Sequence, residues 1–168
     1  MKQQFFLLSV FFLFLAQVAS SQVAYEKGDK IGQIGVGLGS GIGLPISLGY
    51  EVGITEKISI GGTVGFASHS TPVFADKISV MYIPVGLKGA YHFYVTDKID
   101  AYGGAVLGYL VATASYPDNF NWPKTNYSSV MYGGYAGGRY YFTPSLGAFA
   151  EVGYTSLGYL SAGLSYKF

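Results

Sequence analysis

The segment Ser161-Ala162-Gly163-Leu164-Ser165-Tyr166-Lys167-Phe168 decides the fold of this chain. Polar and apolar residues alternate along it, so that Leu164, Tyr166 and Phe168 share one face of a strand. Lys167 and the two serines share the opposite face. A surface of large apolar side chains is a liability in water but suits contact with lipid. The pattern therefore predicts a β-strand that turns one face to a membrane.

Seven segments further upstream alternate in the same way, and none shows the 3.6-residue period of an amphipathic helix. Alternation over about ten residues is typical of strands that cross a membrane. We predict an all-β fold, an eight-stranded antiparallel up-and-down transmembrane barrel. The predicted strands are Lys30–Gly39, Leu44–Ile54, Lys57–Ala67, Ile78–Phe93, Lys98–Ala112, Ser129–Phe142, Leu146–Tyr154 and Leu157–Phe168.

Two kinds of connection join these segments. Thr55-Glu56, Val95–Asp97 and Thr143–Ser145 are short and rich in turn-forming residues. His69–Lys77 and Thr113–Ser128 are longer, polar and contain proline. In an even-stranded barrel with both termini in the periplasm, the short turns are periplasmic and the long loops are extracellular.

Six charged residues inside the predicted strands lie on the face opposite the apolar one: Glu51, Lys88, Asp100, Arg139, Glu151 and Lys167. An eight-stranded barrel has room inside for side chains only, and charges buried there have to pair. We predict a lumenal cluster of Glu51, Lys88, Arg139 and Glu151, with Arg139 and Glu151 in direct contact and Glu51 as a further partner of Arg139. His92 and Asp100 should form a second lumenal polar pair. A soluble lipocalin-like barrel, the alternative, would place its charges outside.

The N-terminus reads as a secretory signal peptide. Lys2 precedes an apolar run, Phe5–Val18, and small residues follow it. The alternative is a membrane anchor, but the run is shorter than the roughly 20 residues that a spanning helix needs. We expect residues 1–21 to be the signal, 22–29 a periplasmic tail and 30–168 the barrel. The cleavage site among residues 19–22 stays open.

Composition excludes several classes of function. Only 11% of the 168 residues are charged, and nine basic and nine acidic residues remain once Lys2 is removed with the signal. Nothing in this balance indicates a nucleic-acid partner. Because the chain has no cysteine, it forms no disulfide and carries no lipoprotein acylation site.

Candidate chemistry is sparse. Gly35–Gly39 resembles a nucleotide-binding glycine motif, but no helix is predicted after it. The simpler interpretation is a strand whose inner face carries glycines in place of side chains. His69, Ser70 and Asp76 form a possible catalytic set on one loop, where rigid support is lacking. We therefore expect no catalytic residues, no metal site and no cofactor.

Aromatic residues at strand ends are typical of an interfacial girdle, although they would also serve sugar stacking. Phe120 and Trp122 differ, since they lie in a polar loop that contains proline. They are candidates for binding a surface partner, for covering the barrel rim or for dipping into the outer leaflet.

Taken together, the chain from Gln22 to Phe168 resembles the small outer-membrane β-barrel family typified by the transmembrane domain of outer membrane protein A and by outer membrane protein X. The resemblance is most specific in the C-terminal assembly signal, carried here by Gly163, Tyr166 and Phe168. It extends at pattern level to Gly138–Phe142 and Phe149–Tyr154.

This resemblance implies an outer-membrane location, contact with lipid and lipopolysaccharide, and the barrel-assembly machinery as a partner during biogenesis. It also implies that the inward cluster of Glu51, Lys88, Arg139 and Glu151 corresponds to the charged lumen of the family. We expect a monomeric, non-enzymatic protein with a structural role in the envelope. Surface binding or adhesion through residues 113–128 is the alternative, and a lipid-modifying enzyme at the rim is a third.

Replacing Phe168 by Asp should lower the amount of protein assembled in the outer membrane, because the substitution removes the terminal aromatic and puts a charge on the lipid-facing side. Quantitative blotting of outer-membrane fractions measures the effect, with Phe120→Asp as the loop control. Equal levels of the two variants would contradict the assignment of the assembly signal.

Overall fold

The structure, a computed structural model, describes residues 23–38, 44–73, 76–115, 125–153 and 158–168. Eight antiparallel strands form a closed barrel in which each pairs with its neighbour in the chain and the first pairs with the last. No helix among these residues is long and apolar enough to cross a membrane. The strands are β1 (Lys30–Leu38), β2 (Ile46–Gly53), β3 (Ile58–Val73), β4 (Asp76–Val95), β5 (Ile99–Ser115), β6 (Thr125–Tyr141), β7 (Leu146–Gly153) and β8 (Leu160–Lys167). The predicted fold class is confirmed, whereas the predicted signal peptide lies outside the described residues.

Alternation along the strands separates an apolar outer surface from a polar interior. Leu87 and Leu107, which are opposite each other on β4 and β5, are 72% and 61% exposed. Their neighbours along the chain, Lys88 and Val106, turn inward. Because an aqueous surface rarely carries so many large apolar side chains, this outer face is suited to lipid.

A β-bulge near the end of β4 interrupts the alternation. His92 is opposite Tyr102 and Tyr94 is opposite Ala101, so Phe93 is the extra residue. Both Phe93 and Tyr94 are therefore exposed on the outer surface, while His92 stays inside. The bulge adds a second aromatic side chain to the outer surface at this level of the barrel.

The four central strands are longer than predicted. β3 to β6 have 16 to 20 residues, whereas β1, β2, β7 and β8 have eight or nine. Within the segments predicted as long loops, residues 69–73, 76–77, 113–115 and 125–128 are strand, whereas residues 116–124 lie outside the described part of the chain. The prediction was wrong because it took loss of an apolar face as the end of a strand. A strand beyond the membrane keeps its ladder without such a face.

The segment predicted as a periplasmic tail packs against the barrel. Ala24 and Tyr25 are almost completely buried in the end of the barrel that carries the turns at Thr55, Thr96 and Thr143, hereafter the tight-turn end. The segment has no strand-like alternation, and its contacts are made with turns far away in sequence. Pattern analysis gives no signal for such packing.

The seam between β1 and β8 closes the barrel and leaves little room for side chains. Gly163 is opposite Gly35, and a Cβ atom at Gly163 would collide with the backbone of Ile34 and Gly35. At Gly49, which also faces inward, the nearest atoms to such a Cβ belong to the flexible side chain of Gln33, at 3.4 Å and beyond.

Gly163→Ala should therefore destabilise the folded barrel by about 1–3 kcal/mol, the usual cost of overpacking. Gly49→Ala, the matched inward control, should stay close to the wild type. The folded fraction after refolding in detergent, read from the mobility of unboiled samples, measures the difference. Two variants of equal stability would show that the seam is not tightly packed.

Candidate functional site

The tight-turn half of the lumen is organised around Arg139, which is 1% exposed. Its Nη2 atom lies 2.6 Å from Glu51 Oε1, and its Nη1 atom donates a hydrogen bond of 2.9 Å to Asp100 Oδ2. The guanidinium also lies over the ring of Tyr102, 4.3 Å from its centroid. Two carboxylates and an aromatic face thus surround one buried cation, which compensates its loss of hydration.

Strand order and register explain this convergence. Asp100 on β5 is directly opposite Arg139 on β6. Glu51 lies on β2, which is the strand farthest around the barrel from β6. Arg139 therefore reaches across the lumen, and it is long enough to do so because the barrel is narrow.

A chain of hydrogen bonds continues from Asp100. Asp100 Oδ1 is 2.7 Å from Nδ1 of His92, and His92 Nε2 is 3.0 Å from the hydroxyl oxygen of Ser59. All three residues are at most 1% exposed. Asp100 thus links the imidazole to Arg139, and both oxygens of this buried carboxylate have a partner.

A second group of side chains lies nearer the middle of the barrel. Lys88 Nζ donates to both carboxylate oxygens of Glu151, at 3.0 and 3.1 Å. The Tyr102 hydroxyl donates to Glu151 Oε1 at 2.9 Å, and the Lys88 ammonium lies 4.4 Å from the centroid of the Tyr135 ring. Tyr102 therefore connects the two groups, since its ring contacts Arg139 and its hydroxyl contacts Glu151.

The predicted direct pair between Arg139 and Glu151 is wrong. Both side chains are in the lumen, but Arg139 is opposite Phe149 in the β6–β7 register and Glu151 is opposite Gly137. The ion partners are instead Glu51 and Asp100 for Arg139, and Lys88 for Glu151. The prediction paired residues on neighbouring strands. The Arg139–Glu51 and Lys88–Glu151 pairs instead join strands that are not neighbours and so reach across the lumen.

A further ion pair, between Lys167 and Asp29, was not predicted from the sequence. Lys167 Nζ is 3.4 Å from Asp29 Oδ2 and donates a hydrogen bond of 2.6 Å to the Val23 carbonyl. The inward face of Lys167 was evident from the alternation, but Asp29 was assigned to a tail. Only the fold of the N-terminal segment brings these two groups together.

A small cavity remains beside the Lys88–Glu151 pair. It measures about 20 Å³ and is lined by polar groups of Gln33, Thr63 and Ser161 as well as by the pair itself. The volume is suited to one water molecule. A gap of this size beside the two charges indicates close packing in this part of the lumen.

The other candidates from the sequence do not join this network. His69 is exposed on β3, and the Ser70 hydroxyl lies 2.9 Å from that of Ser79. Gly35 lies in β1, where the ring of Phe149 fills the space that a side chain would need. Within the part of the chain described here, no group of three or more His, Cys, Asp or Glu residues is arranged to hold a metal.

The remaining sequence candidates are Phe120, Trp122 and the C-terminal Phe168. Phe120 and Trp122 lie outside the described residues. Phe168 is exposed on the outer surface, its ring 5.0 Å from that of Tyr166, and its backbone N–H donates to the Lys30 carbonyl at 2.9 Å. The last residue thus continues the β1–β8 ladder at the outer edge of the tight-turn end.

Comparison with solved structures supports the fold. The N-terminal β-barrel domain of OprF from Pseudomonas aeruginosa is 17% identical, with a TM-score of 0.57 over 85% of this chain and 98% of that one. Ail, the attachment invasion locus protein of Yersinia pestis, solved with the heparin analogue sucrose octasulfate, is 14% identical, with a TM-score of 0.53 over 84% and 99%. A de novo designed transmembrane β-barrel is 19% identical, with a TM-score of 0.60 over 86% and 98%.

No family model and no curated protein matches the sequence. The structural likenesses confirm the predicted fold, that of a small eight-stranded transmembrane β-barrel.

Removing Glu51 alone should destabilise the barrel strongly, by about 3–5 kcal/mol, because it leaves Arg139 buried with less compensation. A double-mutant cycle of Glu51→Ala and Arg139→Ala, measured as unfolding free energy in lipid, should show coupling of about 0.5–3 kcal/mol. The control cycle of Arg139→Ala and Glu151→Ala should show less coupling. Equal coupling in the two cycles would contradict the observed partners.

Proposed function

We propose that this chain, which has the fold of the small outer-membrane barrels, serves the envelope as a non-enzymatic structural barrel. The observation that carries the proposal is the filled lumen. Ion pairs and aromatic rings occupy the cross-section from the tight-turn end to the Lys88–Glu151 pair. Because the lumen of an eight-stranded barrel has room for side chains only, we expect its useful surface to be the outside.

The outer surface supports the same proposal. Large aliphatic side chains cover the middle of the barrel, and exposed aromatic residues lie toward both ends, among them Tyr132, Phe142 and Phe168. Aromatic residues at these levels anchor a protein in the membrane interfaces. The expected partners are outer-membrane lipid and lipopolysaccharide, and the barrel is expected to be monomeric.

Surface binding is a second candidate function, favoured by the long central strands. Among the described residues, β6 pairs with β7 as far as Tyr135, and β2 pairs with β3 as far as Phe66. Beyond those residues, the described parts of β3 to β6 form a four-stranded sheet above the short half of the barrel. A sheet of this kind offers its border strands to an extended segment of a partner.

The ligand bound to a similar protein gives less support for a particular surface partner of this chain. Ail was solved with a heparin analogue. In this chain, the segments between the outer ends of the central strands carry Asp76, Lys77, Asp118 and Lys124, which balance in charge. A polyanion is therefore not favoured over a protein partner.

A trimmed variant separates the two candidates. Met81 pairs with Ser68, and Ser128 pairs with Val111, so residues 69–80 and 112–127 can each be replaced by a two-residue Asn-Gly turn without changing the register. A deletion strain should become sensitive to detergent, and the trimmed barrel should restore resistance as well as the full chain does. Growth in graded detergent measures this effect.

Three further outcomes are informative. Rescue by the full chain alone would overturn the structural proposal in favour of the extracellular sheet. A deletion strain that loses adhesion but stays resistant to detergent would also overturn it. A changed mass of lipid A in the deletion strain, restored by complementation, would indicate an enzyme and contradict the non-enzymatic assignment.

A further inference from the structure

The N-terminal segment Val23–Asp29 crosses the mouth of the barrel at the tight-turn end. The Ala24 N–H donates to the Thr96 carbonyl at 2.8 Å, which fixes the segment to the turn between β4 and β5. The Gly28 N–H donates to the Gly53 carbonyl, also at 2.8 Å, which fixes it to the end of β2. The segment is therefore held at two separate places around the rim.

Tyr25 is the residue of this segment that reaches deepest into the barrel. It is 2% exposed, and its ring is stacked on His92 with centroids 3.5 Å apart and planes inclined by 4°. Its hydroxyl donates to the Thr55 carbonyl at 3.0 Å. Burial, helped by the nearby Glu51 carboxylate, raises the pKa of Tyr25, so the phenol remains a neutral donor.

Lys167 of the last strand holds both ends of the segment. Lys167 donates to the Val23 carbonyl and forms an ion pair with Asp29. A turn between these anchors is closed by Glu26, whose N–H donates to Asp29 Oδ2 at 3.0 Å. Gly28 has φ 94°, a left-handed conformation that favours glycine, so the turn depends on this residue.

We propose that Val23–Asp29 is a strap that closes the tight-turn mouth, with Tyr25 as the anchor that shields the His92–Asp100–Arg139 network from water. The strap contacts three of the polar elements that close this end: the turns at Thr55 and Thr96, and Lys167. The mouth of the barrel is in effect a docking site for a segment of the same chain.

The strap is the part of this end that opens most easily. Each strand pairs with a neighbour on both sides at this end of the barrel, whereas the strap is held by isolated hydrogen bonds, one ion pair and one stacked ring. Regions with few contacts open locally at a lower free energy than the folded core. Opening would expose His92 while the barrel stays intact.

Histidine modification tests the strap with an internal reference, because the chain contains two histidines and His69 is exposed. The refolded chain Gln22–Phe168 in nanodiscs is treated with diethyl pyrocarbonate, and each site is quantified by peptide mass spectrometry. His69 should react quickly in every protein. In Tyr25→Ala, modification of His92 relative to His69 should rise by about tenfold or more, since local opening no longer limits it.

Tyr25→Phe is the matched control, because it keeps the stacked ring and loses only the hydroxyl. Its relative modification of His92 should stay within about twofold of wild type, as expected if stacking dominates over one half-buried hydrogen bond. Tyr132→Ala, a substitution on the outer surface, should leave the ratio unchanged.

Hydrogen exchange keeps the proposal testable if Tyr25→Ala does not fold. In the unmodified chain, the amides of Ala24 and Gly28 should be protected, yet should exchange faster than those of the β1–β8 ladder. The proposal is overturned if His92 reacts as fast as His69 in the wild type, or if Tyr25→Ala folds without a change in the ratio. Unprotected Ala24 and Gly28 amides would overturn it as well.

Discussion

Burial of charge in a lumen too narrow for bulk water is the constraint on which this structure depends. Arg139 cannot be hydrated where it lies, so carboxylates must reach it from β2 and β5. Glu151 in turn requires Lys88, and Lys167 requires Asp29. Each of these pairs joins strands or segments that are far apart in sequence. The lumen therefore specifies the closed barrel, while the apolar outer surface specifies only that the strands meet lipid.

This division explains what could be predicted from the sequence. Because successive side chains point to opposite faces of a strand, the sequence predicts the face on which each residue lies. Large apolar residues such as Leu87 and Leu164 identify the face that meets lipid. The choice of partner inside the lumen depends on side-chain reach across the barrel. Periodicity contains no such information, which is why the sequence predicted Glu151 as the direct partner of Arg139 and Glu51 only as a further one.

The missed features have the same physical origin. Outside the membrane, strands such as the upper part of β3 keep their hydrogen bonds without an apolar face. The loss of apolar residues therefore indicates where a strand leaves the lipid and not where the strand ends. The strap has no periodicity, and its burial depends on distant turns. Even a designed sequence has this fold at 19% identity, which indicates that the fold follows from general rules of membrane strands and carries little information about role.

The position of Arg139 has a mechanical consequence. A thin cylinder under lateral pressure from lipid deforms most easily by becoming elliptical, with opposite walls moving together or apart. Arg139 and Glu51 join β6 to β2, which are diametrically opposed, and so they act as a spoke across the circular section. The Lys88–Glu151 contact forms a second chord, from β4 to β7, at another height. With two chords in different directions, the lumenal side chains add resistance to flattening along more than one axis to that of the hydrogen-bonded wall.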